Sequence, residues 1–316
     1  MTNVDYSIVI PVYFNEGCLA KTVESIKREV IEKKPNLTCE IIFVDDGSED
    51  RSLEELLNIR KKDPDLVKII KLTRNFGQAN ALLAGFKYAR GKCVVAMSAD
   101  GQDPTVLIND MLDAHINEGY EVVIATRTGR DESWYRIITS KLFYALIRKM
   151  TFPSMPLGGF DFVLMGEHAL KVFLRNMDAH PFFQGQILWM GFTPKTIEYH
   201  RRERIAGRSR WTFGRKLTYL IDGVLSYSFA PIRAASLSGI ILAFLGFLYA
   251  FVIFFSKLFW GNPVQGWAPI MIMVLIIGGF QLLMIGIIGE YLWRTLAQVR
   301  KRDMYIIDKL YGDFDE

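Results

Sequence analysis

Cysteine and histidine are scarce in this chain of 316 residues, at three and four respectively. Cys18, Cys39 and Cys93 are odd in number and lack metal-ligand spacing, so they read as reduced core residues rather than a disulfide framework or zinc module. His115, His168, His180 and His200 likewise show no such spacing and read as structural or surface residues. Neither GxGxxG nor GxxxxGKS/T occurs, which removes the dinucleotide fingerprint and the P-loop. Charge of one sign is also lacking. The balance of 38 Lys and Arg against 34 Asp and Glu leaves +4, no footprint for nucleic acid. Near Met1 stand Asp5 and Glu16 with no basic stretch before an apolar core, so no cleavable signal peptide is expected.

Apolar residues are what the chain has in plenty. Half of it is hydrophobic and the mean hydropathy is positive, although 23% of residues are charged. Up to about residue 230 the sequence is ordinary globular text; two long apolar stretches follow. Residues 234–255 and 268–289 carry no charge, and about 22 residues at 1.5 Å each reach roughly 33 Å, enough for a bilayer core. The alternative is a pair of helices buried in a large globular core. Trp260, Trp267, Tyr291 and Trp293 flank the two runs as an interfacial belt requires, which favours two membrane spans. Arg201, Arg202, Arg204, Arg208, Arg210, Arg215, Lys216 and Arg233 precede the first run; Arg294, Arg300, Lys301 and Arg302 follow the second. The connecting loop holds Lys257 alone, so both termini are expected in the cytoplasm, beneath the inner or plasma membrane.

The globular part alternates. Residues 7–12, 40–44, 67–72, 93–97 and 121–125 are short apolar, β-branched runs, separated by helical patterns over 17–33, 52–62, 77–89 and 104–117. Such alternation predicts an α/β domain with a mainly parallel, doubly wound sheet, whose ligands bind beyond the carboxyl ends of the strands. At those ends stand Pro11-Val12-Tyr13, Asp45-Asp46-Gly47-Ser48, Arg74-Asn75-Phe76-Gly77 and the run from Ser98 to Pro104. Asp100 and Gln102 offer oxygen ligands of the kind Mg2+ or Mn2+ accepts while keeping waters and substrate phosphates in its shell. Taken singly, Asp45-Asp46-Gly47 is also an ordinary turn and Asp100 an ordinary helix-start charge. Their coincidence at corresponding strand ends favours a site.

The ordered set Ile8-Val9-Ile10-Pro11-Val12-Tyr13, Val44-Asp45-Asp46-Gly47-Ser48, Arg74-Asn75-Phe76-Gly77 and Asp100-Gly101-Gln102-Asp103-Pro104 resembles the inverting family 2 glycosyltransferases of the GT-A fold. Ser140-Lys141-Leu142-Phe143-Tyr144, Gly159-Phe160-Asp161-Phe162, Gly207-Arg208-Ser209-Arg210-Trp211 and Ser228-Phe229-Ala230-Pro231 narrow the resemblance to the polyprenyl-phosphate branch. It covers nearly the whole chain. Two departures stand out: Ser98-Ala99-Asp100 replaces the family's Asp-Ala-Asp, and Phe14 is inserted before Asn15-Glu16.

The resemblance implies transfer of one sugar from a nucleotide sugar, by default a UDP-sugar, to undecaprenyl (polyprenyl) phosphate with inversion. It implies Asp100 and Gln102 for Mg2+ or Mn2+, and a nucleotide pocket of Pro11, Tyr13, Glu16 and Asp46, with Arg208 and Arg210 near the diphosphate. Asp161 aligns with the family's catalytic aspartate; with a phosphate nucleophile its expected role is orientation or electrostatics rather than proton abstraction. Arg127, Arg130, Arg136 and Ser140 are candidates for the acceptor phosphate, because an arginine fork matches phosphate oxygens in pairs. A solvated basic face is their alternative, and positive-inside charge that of Arg208 and Arg210.

The expected divisions are a cytoplasmic GT-A domain over 1–200, a basic interfacial segment over 201–230, a transmembrane hairpin over 231–293 and a cytoplasmic tail over 294–316. Residues 134–150 form an amphipathic pattern that suits either the membrane surface or an ordinary packed helix. Gly278, Gly279, Gly286 and Gly289 invite close helix packing, hence a homo-oligomer. Competing readings are a non-catalytic scaffold, motivated by Ser98, a processive polysaccharide synthase and a lipid flippase. The synthase reading lacks its Gln-x-x-Arg-Trp element, since Gly207 stands three residues before Arg210.

Overall fold

In a computed structural model the chain is described at residues 4–127, 145, 148–156, 159–178, 181–200, 223–260 and 267–314. Its contacts divide it into two units, Met1–Gly223 with Arg302–Glu316, and Val224–Lys301.

The first unit is built on an eight-stranded sheet. Its strands are β1 (Tyr6–Val12), β2 (Cys39–Asp45), β3 (Val67–Leu72), β4 (Cys93–Ala96), β5 (Val122–Arg127), β6 (Phe162–Gly166), β7 (Lys195–Tyr199) and β8 (Ile307–Tyr311). They lie in the order β7-β5-β6-β4-β1-β2-β3-β8. Helices α1 (Leu19–Ile26), α2 (Ser52–Lys62), α3 (Gln78–Tyr88) and α4 (Leu107–Ile116) make the crossovers between the early strands. α1 continues into one π-helical turn, Lys27–Ile31. α5 (Glu167–Arg175) and α6 (Phe183–Trp189) follow β6. The five strands expected from the apolar runs are all present, because almost every side chain along them is buried between helical layers.

Only β6 and β8 run against the rest. All other strands therefore finish at one end of the sheet, and β6 starts there. This is the mixed, mainly parallel sheet of the GT-A fold. Pro11 is tolerated inside β1 for a reason of register. The Val9 carbonyl accepts from Met97 N on the β4 side, and the Val12 carbonyl accepts from Asp46 N on the β2 side. Alternation turns Pro11 toward β4, past the last pair at Val9–Ala96, so its missing N–H breaks no ladder bond.

The tail beyond the apolar helices does not trail away. β8 pairs antiparallel with β3, from Ile69–Tyr311 to Leu72–Ile307, and Lys71 bonds Asp308 at 2.5 Å. Sequence patterning missed this strand because IDKLY lies at the sheet margin and is mostly exposed. At the far end of the sheet from the strand termini, Glu40 accepts from Lys68 (2.7 Å), Ser7 (2.6 Å) and the Arg90 N–H (2.7 Å). The ring of Phe314 lies over the Lys68 ammonium at 5.4 Å, so the tail caps this buried pair. Burial pushes the Glu40 carboxyl up, but these three donors more than offset it and hold it below the usual range.

The second unit holds α7 (Ala230–Trp260) and α8 (Trp267–Arg300), both long and apolar enough to cross a membrane. α8 runs past the expected 289 to Arg300. Tyr291 donates to the Ser228 carbonyl at 3.3 Å, and Arg294 to the Ser226 hydroxyl at 3.3 Å. Phe244, Phe247, Phe251, Ile270, Leu282 and Ile285 are exposed within the chain.

Removing Lys68 takes the 2.7 Å ammonium partner from the buried Glu40 carboxylate and leaves it the longer Arg90 contact at 3.4 Å. Lys68→Ala should therefore lower stability by about 3–5 kcal/mol, read as an earlier thermal unfolding transition of the full chain in detergent.

Candidate active site

Strand direction gathers the polar loops, and hydrogen bonds then lock them together. After β1, the turn Tyr13–Glu16 is stitched to the loop after β2. Phe14 N donates to the Ser48 hydroxyl (3.2 Å), Asn15 N to the Ser52 hydroxyl (2.9 Å) and Glu16 N to Asp50 (3.3 Å). The inserted Phe14 takes a left-handed φ of 57°, rare for a bulky residue, with its ring edge-on to Tyr13 at 4.6 Å. Such strain persists only where surrounding bonds over-determine the turn, as they do here.

Asp45 and Asp46 end β2 inside the protein. Asp45 Oδ1 accepts from Ser48 N at 3.1 Å, while buried Oδ2 has no hydrogen-bond partner among the described residues, and burial raises the Asp45 pKa. Asp46 accepts from Phe76 N (2.6 Å) and Gly77 N (2.9 Å), so its carboxylate holds the loop after β3 at the start of α3. Gly47 is required between these segments: with φ at 71°, a Cβ there would lie 2.6 Å from the Arg74 backbone. Burial pushes Asp46 up to about 6 despite its two N–H donors and the Arg74 charge.

After β4, Asp100 Oδ1 lies 3.0 Å from the Ser98 hydroxyl and accepts from Gln102 N at 3.2 Å. Asp103 Oδ2 accepts from Ser98 N at 3.1 Å and bonds the same hydroxyl. Ser98 therefore serves as a hydroxyl between two carboxylates, where an aspartate would add a third negative charge. Arg127 ends β5 with its side chain 11% exposed. It donates through Nη2 to Asp161 Oδ2 at 2.9 Å and through Nε to the Tyr199 oxygen at 3.3 Å. Asp161 immediately precedes β6, and its side chain is 42% exposed. Gln184 of α6 holds its other oxygen at 3.2 Å. Burial pulls the Arg127 pKa down, but Asp161, Tyr199 and Asp103 outweigh it and leave the guanidinium raised.

Pro11, Tyr13, Glu16, Asp46, Asp100, Gln102, Arg127 and Asp161 thus all stand at one end of the sheet or in the loops leaving it. Asp46 is occupied with a loop, and Arg127 is bonded to Asp161 and Tyr199. Arg130, Arg136, Ser140, Arg208 and Arg210, with most of 134–150 and the segment 201–222, lie outside the described residues. Among the described residues no group of three or more His, Cys, Asp or Glu is arranged to hold a metal. The donor set in the turn after β4 is a carboxylate and an amide, hard oxygens that suit Mg2+ or Mn2+ completed by water and a diphosphate. Sequence reasoning assigned no role to Asp103, Gln184 and Tyr199. Asp103 sat inside a quoted motif, whereas a lone glutamine and a strand-end tyrosine carry no signal of their own.

The chain belongs to glycosyl transferase family 2, whose model matches residues 7–174. It is a glycosyltransferase. It is 38% identical to the uncharacterized glycosyltransferase YkcC of Bacillus subtilis, over 98% of this chain and 95% of that one. A Synechocystis relative, the uncharacterized glycosyltransferase sll0501, is 34% identical over 98% and 96% of the two chains. The bactoprenol glucosyl transferase of Shigella phage SfII is 32% identical, over 96% of this chain and 97% of the phage protein.

A carboxyl raised in the fold binds its proton more tightly there than in the unfolded chain. Asp46 therefore adds stability below the unfolded value of 3.8, and loses that contribution as pH rises through about 6. Protonation in the fold weakens its hold on Phe76 and Gly77. As pH is lowered, nucleotide affinity should therefore fall with an inflection near pH 6, and calorimetric titration with UDP should find that inflection absent in Asp46→Asn.

Proposed function

We propose that this glycosyltransferase moves one sugar, glucose before other candidates, from a UDP-sugar to undecaprenyl phosphate with inversion at the anomeric carbon. The observation that carries the reading is the full-length similarity to a bactoprenol glucosyl transferase, which takes in the two apolar helices as well as the catalytic domain. In the reaction, an oxygen of the acceptor phosphate bonds to the anomeric carbon as the bond to the diphosphate breaks. The nucleoside diphosphate leaves with the electron pair. A phosphate monoester is already anionic near neutral pH, so no strong base is needed; the difficulty is to bring two anions together and stabilise the departing one.

Asp161 is half-exposed and bonded to the more deeply set Arg127, which supports a role for its carboxylate in orienting the sugar or acceptor. Asp100 and Gln102 would hold a divalent cation, which when bound supplies positive charge to the leaving diphosphate. Arg208 and Arg210 are assigned to that diphosphate, and Arg130, Arg136 and Ser140 to the acceptor phosphate. Pro11, Tyr13 and Glu16 line the nucleoside pocket.

The apolar side chains of α7 and α8 suit lipid and support a location in the cell membrane. β8 supports two crossings, because the chain that leaves the first unit before α7 rejoins the same sheet after α8. The basic residues on both flanks of the hairpin favour the cytoplasmic side for that unit. Gly278, Gly279, Gly286 and Gly289 have open space beside them among the described residues, which suits close approach by a second copy.

The test is a labelled-sugar transfer assay on the full chain in detergent, with undecaprenyl phosphate, Mg2+ or Mn2+, and a panel of UDP- and GDP-sugars. One labelled lipid from UDP-glucose is expected, and Asp161→Asn should lower kcat by about 10²–10³-fold. Absence of labelled lipid from every donor would contradict the reading.

A further inference from the structure

We infer that Tyr199 is a positioning residue which, through Asp103 and Arg127, fixes the turn carrying Asp100 relative to Asp161. The inference deepens the reaction proposed above and rests on it. A run of bonds joins Asp161 to the turn that carries Asp100. Asp161 Oδ2 accepts from Arg127 Nη2 at 2.9 Å, and Arg127 Nε donates to the Tyr199 oxygen at 3.3 Å. The Tyr199 hydroxyl donates to Asp103 Oδ1 at 2.8 Å. Asp103 Oδ2 in turn accepts from Ser98 N at 3.1 Å and bonds the Ser98 hydroxyl, which lies 3.0 Å from Asp100 Oδ1.

The chemistry of the run dictates its residues. A guanidinium only donates and a carboxylate only accepts. A group between Arg127 and Asp103 that satisfies both must accept on one side and donate on the other, and a neutral phenol does this with one oxygen. Asp103 and Tyr199 are buried, so an unmade bond here is not simply replaced by bulk water. Packing sets the position of the hydroxyl independently. Tyr199 ends β7 in register with Arg127 of β5, and its ring stands edge-on to Phe162, the neighbour of Asp161, at 6.4 Å. One end of the run holds the donors assigned to the cation and diphosphate; the other holds the carboxylate assigned to the reacting sugar or acceptor. A shift between these ends alters the approach of nucleophile to leaving group, and a misplacement of ~1 Å can lower rate by ~10²-fold.

Tyr199→Phe keeps the ring against Phe162 and removes only the hydroxyl. In the transfer assay with the full chain, this variant should lose about 10- to 100-fold in kcat, with the donor KM little changed. Ser98→Ala should also lower kcat, and the double variant should be no slower than Tyr199→Phe alone, because both act through Asp103. A wild-type kcat in Tyr199→Phe, or fully additive losses in the double variant, would overturn the inference. Hydrogen–deuterium exchange provides a readout that needs no substrate. Amides of segments 97–104 and 159–163 should exchange faster together in Tyr199→Phe, and unchanged exchange in either segment would overturn the link. A wild-type chain that transfers no sugar would instead count against the proposed reaction, leaving the exchange result to decide the link.

Discussion

Strand direction is the constraint on which the site depends. Six strands finish at one end of the sheet, and the reversed β6 begins there, so a residue that precedes a strand joins residues that follow strands. Were β6 parallel to β4, Asp161 would emerge at the opposite end, beside the Glu40–Lys68 pair. The reversal places its carboxylate against Arg127 instead, and the β5–β7 register puts Tyr199 at the same level. The remaining loops reach this end by the ordinary rule for parallel α/β sheets.

Electrostatics explains how so many acidic groups coexist there. Asp45, Asp46, Asp100, Asp103 and Asp161 crowd the strand ends, and each has a local answer to its charge. Asp46 takes two backbone N–H groups, Asp103 a phenol and a serine, and Asp161 the buried guanidinium. Ser98 lowers the charge of the cluster by one relative to the family's usual aspartate and adds a hydroxyl set between two of the remaining carboxylates, with one proton to donate to either. The turn is therefore organised by its own hydrogen bonds, and a cation bound there meets a preformed carboxylate.

Much of this was legible in the sequence for a simple reason. The first five strands are apolar on both faces, and each is closed by polar, glycine-containing loops, so runs such as Ser7–Val12 and Val67–Leu72 announce both a strand and its end. The strand-end motifs then located Asp46, Asp100 and Gln102. β7 and β8 were not legible, because marginal strands alternate or stay exposed and look like loop text. Asp161 came from the resemblance alone. Tyr199 and Gln184 escaped because their function lies in a partner more than twenty residues away, which no local pattern encodes.

The central claim is that the carboxyl ends of the strands, between the loop after β2 and Asp161, form the nucleotide and cation site. The most direct measurement is a structure of the full chain with UDP and Mn2+, with the metal located by its anomalous scattering. The account predicts a manganese peak within bonding distance of Asp100, with the diphosphate beside it and the uridine toward Pro11, Tyr13 and Asp46. A metal peak remote from the turn after β4, or a uridine seated away from these strand ends, would contradict it.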